Sequence, residues 1–286
     1  MTNNSVNQCA AGCIKMHNNL NASIRLRKFL HKPLLSMMKS TRNFDLKLLD
    51  EENLKKSIDS AIYVVNHTNS HDIPVASEVI AKHHYVLLGK QPLKSIDRIA
   101  FCLNGVIWVD RKSKASKAEA KRIMVEHLKH RTNVLMFPEG TWNRSPNKIM
   151  QPLYWGVIDI AKECNAPVVP IILEYTKEIC YAKIGLPIYI ESSSDKKQAI
   201  DYLQNTMAAM RYELWEMLPR LHRKEIETDY FDKILQHDVE EYPKLNLEYE
   251  TSVVRKEYEE SKNTFAHLGN IKPSLQSAFL FNKRLI

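Results

Sequence analysis

The chain of 286 residues contains only seven glycines, and this scarcity excludes several kinds of site. It has no G-x-G-x-x-G fingerprint and no Walker loop, both of which need glycines where the backbone approaches a phosphate. It also lacks the G-x-S-x-G turn of serine hydrolases and the H-E-x-x-H helix of zinc peptidases. Any chemistry in this chain must therefore rest on other residues.

Long apolar runs and paired cysteines are missing as well. No stretch reaches the roughly 18 apolar residues that a membrane-spanning helix needs, and the N-terminus has no basic segment followed by an apolar one. We therefore expect neither a signal peptide nor a transmembrane helix. The five cysteines, an odd number at irregular spacings, indicate a reducing compartment such as the cytoplasm. Cys9 and Cys13 have no second pair or histidine cluster beside them, so we expect no metal and no other cofactor.

The charge is unevenly distributed along the chain. The formal net charge of +8 predicts an anionic partner but leaves open nucleic acid, a phosphorylated metabolite or an anionic membrane. Between residues 82 and 132 there are twelve Lys/Arg against four Asp/Glu, whereas residues 223–260 have six against twelve. The two regions are therefore expected to face different surroundings.

The N-terminal part of the chain differs from the rest. Residues 1–22 are polar and rich in Asn, and we expect a mobile tail. Residues 23–50 form a basic amphipathic segment that we expect to be broken by Pro33. Such a segment either lies in a membrane interface or packs on the domain as a helix, and its composition leaves both open.

Residues 51–220 alternate apolar runs with helical patterns, which predicts one main domain of the α/β class. We expect a mainly parallel central sheet covered by helices, followed by an acidic C-terminal appendage over residues 221–286. Strands are predicted at 61–65, 84–88, 106–109, 133–137 and 167–173, with a strand pair ending near Ile190. Helices are predicted at about 73–82, 115–130, 156–164 and 195–218.

His67 and Asp72 lie in the polar segment that follows the first predicted strand. Side chains five residues apart point to opposite faces of a strand and lie about 140° apart on a helix, so these two meet only across a turn. A strand ending near Asn66 and a helix beginning near Ile73 would supply that turn. Asp72 would then fix one ring nitrogen and leave the other as a base. Alternatively, Asp72 merely caps the helix, and His71 is a competing base.

Four ordered blocks resemble those of the glycerolphosphate and lysophospholipid acyltransferases, of the bacterial 1-acylglycerol-3-phosphate acyltransferase type. The resemblance covers about residues 60–190. The blocks are Asn66-His67-x4-Asp72, Gly105-Val106-Ile107-Trp108-Val109-Asp110-Arg111, Phe137-Pro138-Glu139-Gly140-Thr141 and Val168-Val169-Pro170-Ile171-Ile172.

The resemblance implies a role for each matching residue. His67 would be the general base on the acceptor hydroxyl, and Asp72 would orient it. The group that binds the acceptor would be Arg111, Glu139, Gly140 and Thr141. Lys114 and Arg144 are further candidates for contacts with the acceptor phosphate or with the donor, although Arg144 follows Thr141 at a different spacing from that usual in the family.

The function implied is transfer of a fatty acyl chain from acyl-CoA or acyl carrier protein to the free hydroxyl of 1-acylglycerol-3-phosphate, in phospholipid biosynthesis. We expect a cytoplasmic enzyme, peripheral on the inner face of the membrane and bound to its anionic surface, with no nucleic-acid partner. The alternatives are an acyltransferase for another lysophospholipid or lipid acceptor and a non-catalytic, lipid-binding membrane adaptor.

Overall fold

The structure, a computed structural model, describes residues 20–39, 42–56, 60–90, 95–143, 149–176, 178–218 and 233. Three predictions fall wholly or largely outside these residues. They are the mobile tail over residues 1–22, a phosphate contact by Arg144, and the acidic appendage over residues 221–286.

Seven strands form one sheet. Every pair of neighbouring strands but one is parallel. The strands are β1 (Asp45–Leu49), β2 (Ile62–Val65), β3 (His84–Gly89), β4 (Val106–Val109), β5 (Asn133–Met136), β6 (Val168–Tyr175) and β7 (Ile179–Ile184). Their order across the sheet is β1-β7-β6-β2-β5-β3-β4, and only β6 and β7 pair antiparallel. The central strands β2 and β5 are buried along their whole length, as strands covered on both faces must be.

Six α-helices accompany the sheet within the described residues. They are α1 (Leu20–Lys39), α2 (Asp72–Ile80), α3 (Ser95–Asn104), α4 (Lys114–Lys129), α5 (Gly156–Cys164) and α6 (Lys196–Met217), and a 3-10 helix spans Glu51–Lys56. The mainly parallel α/β architecture predicted from the sequence is confirmed. The chain divides into two compact units, residues 1–142 with 150–214 and residues 143–149 with 215–286, and the whole sheet belongs to the first unit.

One face of the sheet carries a core made by alternate residues of its strands. On β6 these are Val169, Ile171 and Leu173, which join the apolar side chains of α2 in one buried cluster. The period of two in a strand sends every second side chain to the same face. The side chain of Tyr175 therefore points to the face that α2 covers, and it packs against the same cluster.

The sequence predictions missed one strand and one helix. β1 pairs with β7 at the edge of the sheet, so the sheet begins before the predicted domain boundary at residue 51. Its burial alternates only weakly because it is a short edge strand with Asp45 and Lys47 on its exposed side. Helix α3 occupies a stretch that was predicted to be a loop.

The prediction that Pro33 breaks the N-terminal segment is wrong, because α1 runs through it from Leu20 to Lys39. Pro33 has no N–H to donate to the carbonyl of Phe29, but both residues lie on the exposed side of the helix, where a missing helical hydrogen bond costs less than it would in the core. The opposite side of α1 packs against α2 and α3. Within the described residues, no helix has both the length and the apolar character needed to cross a bilayer.

Buried polar contacts fasten α1 to the end of α3. Arg27, which is almost fully buried, donates from its guanidinium to the carbonyl oxygens of Cys102 and Leu103, satisfying two groups that a helix C-terminus leaves open. The Nδ1 atom of His31 lies 2.8 Å from the side-chain oxygen of Asn104. Helix α1 is therefore packed on the domain, as one of the two predicted alternatives requires.

Candidate active site

The predicted motif blocks follow β2, β4 and β5, so they gather at one edge of the sheet. In a parallel sheet the carboxyl ends of neighbouring strands lie side by side, and ligands of open α/β sheets bind there. β2 and β5 are neighbours, which brings His67 and Glu139 together, and β6 lies on the other side of β2. Arg111 follows β4, which is separated from β5 by β3.

His67 and Asp72 meet across the turn between β2 and α2. The Nδ1 atom of His67 lies 2.8 Å from Oδ2 of Asp72, and the same oxygen accepts from the backbone N–H groups of Thr68 at 2.6 Å and Asn69 at 2.8 Å. Oδ1 accepts from the hydroxyl of Tyr175 at 2.9 Å. A buried carboxylate surrounded by donors is an acceptor, so Nδ1 of His67 carries the proton and Nε2 keeps a free lone pair.

Asp72 does not cap the helix, contrary to the predicted cap position. It is the first residue of α2, and the N-cap is His71, whose side chain makes no capping hydrogen bond. The carboxylate of Asp72 turns back toward Thr68 and Asn69 instead of toward the amides of the helix, because those two amides and His67 face it across the turn. The alternative in which Asp72 is only a helix cap is therefore rejected by the geometry. The ring of His71 packs against Phe44 rather than facing this carboxylate.

Glu139 lies in the same site but points inward. Its side chain is 2% exposed, Oε1 accepts from the backbone N–H of His67 at 2.9 Å, and Oε2 accepts from the backbone N–H of Gln151 at 2.7 Å. Burial raises the pKa of Glu139 to about 7, although the two amide hydrogen bonds and the positive charge of Arg211 oppose that shift. The carboxylate thus ties the loop after β2 to the loop after β5.

Aromatic rings enclose the imidazole of His67. Phe137 lies beside it with ring centroids 4.4 Å apart, and Trp142 meets it edge-on at 5.8 Å. The ring remains partly accessible, with 15% of the side chain exposed. No protein group among the described residues hydrogen-bonds to Nε2 of His67. The free nitrogen is therefore held in an apolar, half-open pocket.

Gly140 makes the turn that brings Glu139 into place. Its φ of +69° is in the left-handed region that favours glycine, and its N–H donates to the carbonyl of Phe137 at 3.0 Å. A Cβ at this position would come within 2.4 Å of the ring of Tyr154, so the site also lacks room for a larger residue. Thr141, which follows, is half-buried.

Arg111 lies at the far side of this edge, exposed in the turn after β4. Its guanidinium packs over Gly89, the last residue of β3, where a Cβ would approach Nε to 3.0 Å and Nη2 to 3.1 Å. The absence of a side chain at Gly89 therefore lets Arg111 fold back from β4 toward the centre of the sheet. Lys114 is exposed at the first residue of α4, and Arg144 lies outside the described residues.

Two other cations of α4, Lys121 and Arg122, are paired with neighbouring carboxylates. Lys121 pairs with Glu163 at 2.8 Å, and Arg122 pairs with Glu119 at 2.8 Å and Glu126 at 3.0 Å. The pairing reduces the free positive charge that they offer.

Several contacts at the site were not predicted from the sequence. Asn66 spans to β6 by accepting from the N–H of Leu173 at 2.7 Å and donating to its carbonyl at 2.9 Å. Arg211 is buried and pairs with Glu174 at 3.0 Å. Tyr175 alone had a usable signal, since the period of two on β6 predicts the face it occupies. Among the described residues, no group of three or more His, Cys, Asp or Glu side chains is arranged to hold a metal ion.

Comparison with known proteins gives a family match over the sheet. Residues 45–174 match the family model described as Acyltransferase. The 1-acyl-sn-glycerol-3-phosphate acyltransferase of Salmonella typhimurium is 30% identical over 120 residues, which are 41% of this chain and 48% of that protein. The enzyme of the same name from Saccharomyces cerevisiae is 26% identical over 166 residues, 57% of this chain and 52% of that protein. The chain thus spans about half the length of these curated relatives.

The fold also matches a solved structure. The crystal structure of the 1-acyl-sn-glycerophosphate acyltransferase from Thermotoga maritima superposes with a TM-score of 0.54 at 21% sequence identity, covering 66% of this chain and 81% of that chain. This likeness covers a larger share of the chain than the family match does and supports the architecture described above.

Proposed function

Because residues 45–174 match the Acyltransferase family model and the chain is similar to 1-acyl-sn-glycerol-3-phosphate acyltransferases over about half of their length, we propose that it is an O-acyltransferase of the glycerolphosphate acyltransferase family and acts on a lysophospholipid. The acceptor that we propose is 1-acylglycerol-3-phosphate, and the donor is acyl-CoA or acyl carrier protein. The observation that carries this proposal is the contact of His67 with Asp72, which leaves one imidazole nitrogen free in a half-open pocket.

The reaction needs a base but no nucleophile from the protein. Nε2 of His67 takes the proton of the acceptor hydroxyl as its oxygen attacks the thioester carbonyl carbon, and Asp72 stabilises the imidazolium that forms. When the tetrahedral intermediate collapses, the C–S bond breaks and the leaving thiolate takes the proton from His67. The products are the new ester and a free thiol. The amide of Gly140 is already bonded to Phe137, so the oxyanion needs another backbone donor.

Arg111 is the residue that we propose for the acceptor phosphate. A guanidinium fork suits phosphate oxygens, and this one is exposed and lies back over Gly89 toward the catalytic loops. Strands are about 4.8 Å apart, so an Arg that folds from β4 over β3 is brought one strand closer to His67. Glu139, in contrast, already spends both oxygens on backbone amides, which favours a role in holding the loops.

Helix α1 supports a place for this enzyme on an anionic membrane surface. Its outer side exposes Leu26, Phe29 and Met37, which follow one another at helical spacing. Exposed cations flank this stripe at Arg25, Lys28 and Lys32. An apolar stripe beside cations matches the boundary between acyl chains and lipid phosphates. Under this proposal, one side of α1 packs on the domain and the other side contacts lipid.

The activity is tested with purified protein, labelled acyl-CoA and lysophosphatidate, followed by an acceptor panel and by an acyl carrier protein donor. We expect labelled phosphatidate and free CoA in equal amounts. Equal turnover of a lysophospholipid with a larger head group would redirect the proposal to that acceptor. A wild-type protein that binds lipid vesicles yet transfers no acyl group to any acceptor would favour the membrane-adaptor alternative.

Membrane attachment is tested by flotation with vesicles that contain anionic phospholipid. We expect Phe29→Asp to reduce the bound fraction severalfold, because the ring is the most exposed of the large apolar side chains, at 78%. The matched control is Tyr202→Asp, which places the same charge on an exposed aromatic position of α6, and we expect wild-type binding. Equal loss in both variants would show that the stripe on α1 has no special part in attachment.

A further inference from the structure

Tyr175 ends β6 one residue beyond the matched family segment, and it touches the catalytic pair. We propose that Tyr175 is a positioning residue, whose hydroxyl holds the carboxylate of Asp72 and thereby sets the direction of the imidazole of His67. This inference rests on the proposed function.

The two carboxylate oxygens of Asp72 accept different numbers of hydrogen bonds. Oδ2 faces three donors, from His67, Thr68 and Asn69, all within the turn that carries the base. Oδ1 faces the hydroxyl of Tyr175 at 2.9 Å and no other donor among the described residues. A carboxylate is planar, so a bond to Oδ1 fixes the plane in which Oδ2 meets Nδ1 of His67. Tyr175 therefore supplies the one constraint that does not come from the turn itself.

Removal of that hydroxyl leaves a fully buried, charged oxygen without a partner. An unpaired charged oxygen in a protein interior lowers the stability of the fold. We expect the carboxylate either to rotate toward another donor or to interact more strongly with the imidazole of His67. Either response changes the hydrogen bond that orients the base. The phenol is also a dependable donor, because burial and the neighbouring Asp72 raise the pKa of Tyr175 well above its ordinary value.

The ring of Tyr175 is held independently of its hydroxyl. Phe44, which directly precedes β1, meets the ring edge-on with centroids 5.6 Å apart and meets the ring of His71 at 5.5 Å. Cys180 lies opposite Tyr175 in the register of β6 and β7. A phenylalanine at position 175 keeps these ring contacts and deletes only the hydroxyl, which also interacts with the thiol of Cys180. Tyr175→Phe therefore separates the contacts of the hydroxyl from the packing of the ring.

The experiment compares Tyr175→Phe with Tyr181→Phe. Tyr181 is a tyrosine of the adjacent strand β7 whose ring faces the ammonium of Lys47 at 5.6 Å, away from Asp72. We expect Tyr175→Phe to lower kcat about tenfold with KM for the acceptor unchanged, since the bond orients the base and binds no substrate. The acidic limb of the pH profile of kcat/KM should shift by about half a unit or more. Tyr181→Phe should match the wild type in both.

A wild-type kcat and pH profile in Tyr175→Phe would overturn the proposal. A lower melting temperature with kcat per folded molecule and pH profile unchanged would also overturn it, because the bond would then be only structural. The imidazole proton on Nδ1 of His67, followed by NMR, gives a readout that does not require turnover. If the wild type transfers no acyl group, the proposed function fails, but a displaced Nδ1 proton resonance in Tyr175→Phe still supports the positioning role and an unchanged one rejects it.

Discussion

Two clusters of histidines in this chain show what separates a base from a polar core residue. At the carboxyl edge of the sheet, His67 faces the carboxylate of Asp72 and keeps part of its ring accessible. Where α1 packs on the domain, the ring of His31 meets those of His83 and His84 edge-on at 5.6 and 5.4 Å. The hydrogen-bond partners of these rings among the described residues are amide, carbonyl and hydroxyl groups.

The surroundings of the buried histidines disfavour their charged form. Burial lowers the pKa of His83 to about 4 and that of His84 to about 3, and the neighbouring histidines add to the effect. Arg27, also buried, lowers the pKa of His83 further. These rings therefore stay neutral and serve packing. A catalytic base needs a group that stabilises its protonated form and a ring that the substrate can reach. Of these two sites, only that of His67 has both.

The largest expected effect is on catalysis at His67. We expect His67→Ala to lower kcat by about a thousandfold or more, because the base is lost while backbone contacts of the loop remain. His71→Ala should retain most of the wild-type rate, since its ring packs on Phe44 and does not face Asp72. Steady-state kinetics on the two variants, with circular dichroism to check folding, measure the contrast.

The reverse pattern would transfer the role of base to His71. Near-normal turnover in His67→Ala would remove the proposed mechanism altogether. His83→Gln serves as a third variant, from the buried cluster. Its rate per folded molecule should equal that of the wild type, and a loss as large as that of His67→Ala would end the distinction between the clusters.

The same contrast explains what could be predicted from the sequence. His67 and Asp72 are separated by a single turn, so their spacing and the strand before them were enough to predict their contact. The mainly parallel sheet was within reach too, because alternating strands and helices favour that arrangement. β1 was missed because the edge strand is half-exposed. Helix α3 has apolar residues at helical spacing, Ile96, Ile99 and Leu103, and this local signal was overlooked.

Contacts between distant segments could be identified only from the structure. Gln151 donates to Glu139, and Tyr175 reaches Asp72 from 103 residues away. The buried histidines were hidden for the same reason, since His31 meets them only once α1 is packed on the domain. Composition left that packing open, because an amphipathic helix fits a membrane and a domain surface equally well. Tertiary packing decides such contacts, and local pattern does not encode it.

A second prediction concerns acid stability of the buried cluster. The unfolded chain protonates His83 and His84 near pH 6.5, whereas the folded protein resists protonation until about pH 4 and about pH 3. Stability is therefore complete above pH 6.5 and is lost as the pH falls below it. Between pH 6.5 and 5 the two histidines together should account for a loss of about 3 kcal/mol in the free energy of unfolding.

Urea unfolding of His83→Gln/His84→Gln across this range measures that contribution. The double variant should lose less stability on acidification than the wild type, whatever its stability at pH 7. His130→Gln, an exposed histidine after α4, is the matched control and should follow the wild-type curve. Parallel curves for the double variant and the wild type would show that burial does not hold these rings neutral.

The smallest expected effect has the opposite sign and belongs to the active site. The folded-state pKa of Glu139 is raised to about 7 from an ordinary value near 4.5, so between these values the folded protein holds a proton that the unfolded chain has released. Rising pH therefore favours the unfolded chain in this window, and the full cost is present above about pH 7. From pH 5 to 7 the free energy of unfolding should fall by about 2 kcal/mol more in the wild type than in Glu139→Gln.

Glu163→Gln provides the control, because Glu163 is an exposed carboxylate paired with Lys121, which lowers its pKa and keeps its titration below this window. Its curve should therefore parallel that of the wild type from pH 5 to 7. A Glu139→Gln curve that is also parallel would mean that the two amide donors keep Glu139 ionised throughout. The contribution of Glu139 to the free energy of unfolding should fall as the pH rises, and that of the buried histidines should fall as the pH falls. These opposite slopes would show that burial penalises the charged form in both places, the carboxylate at the site and the imidazolium in the core.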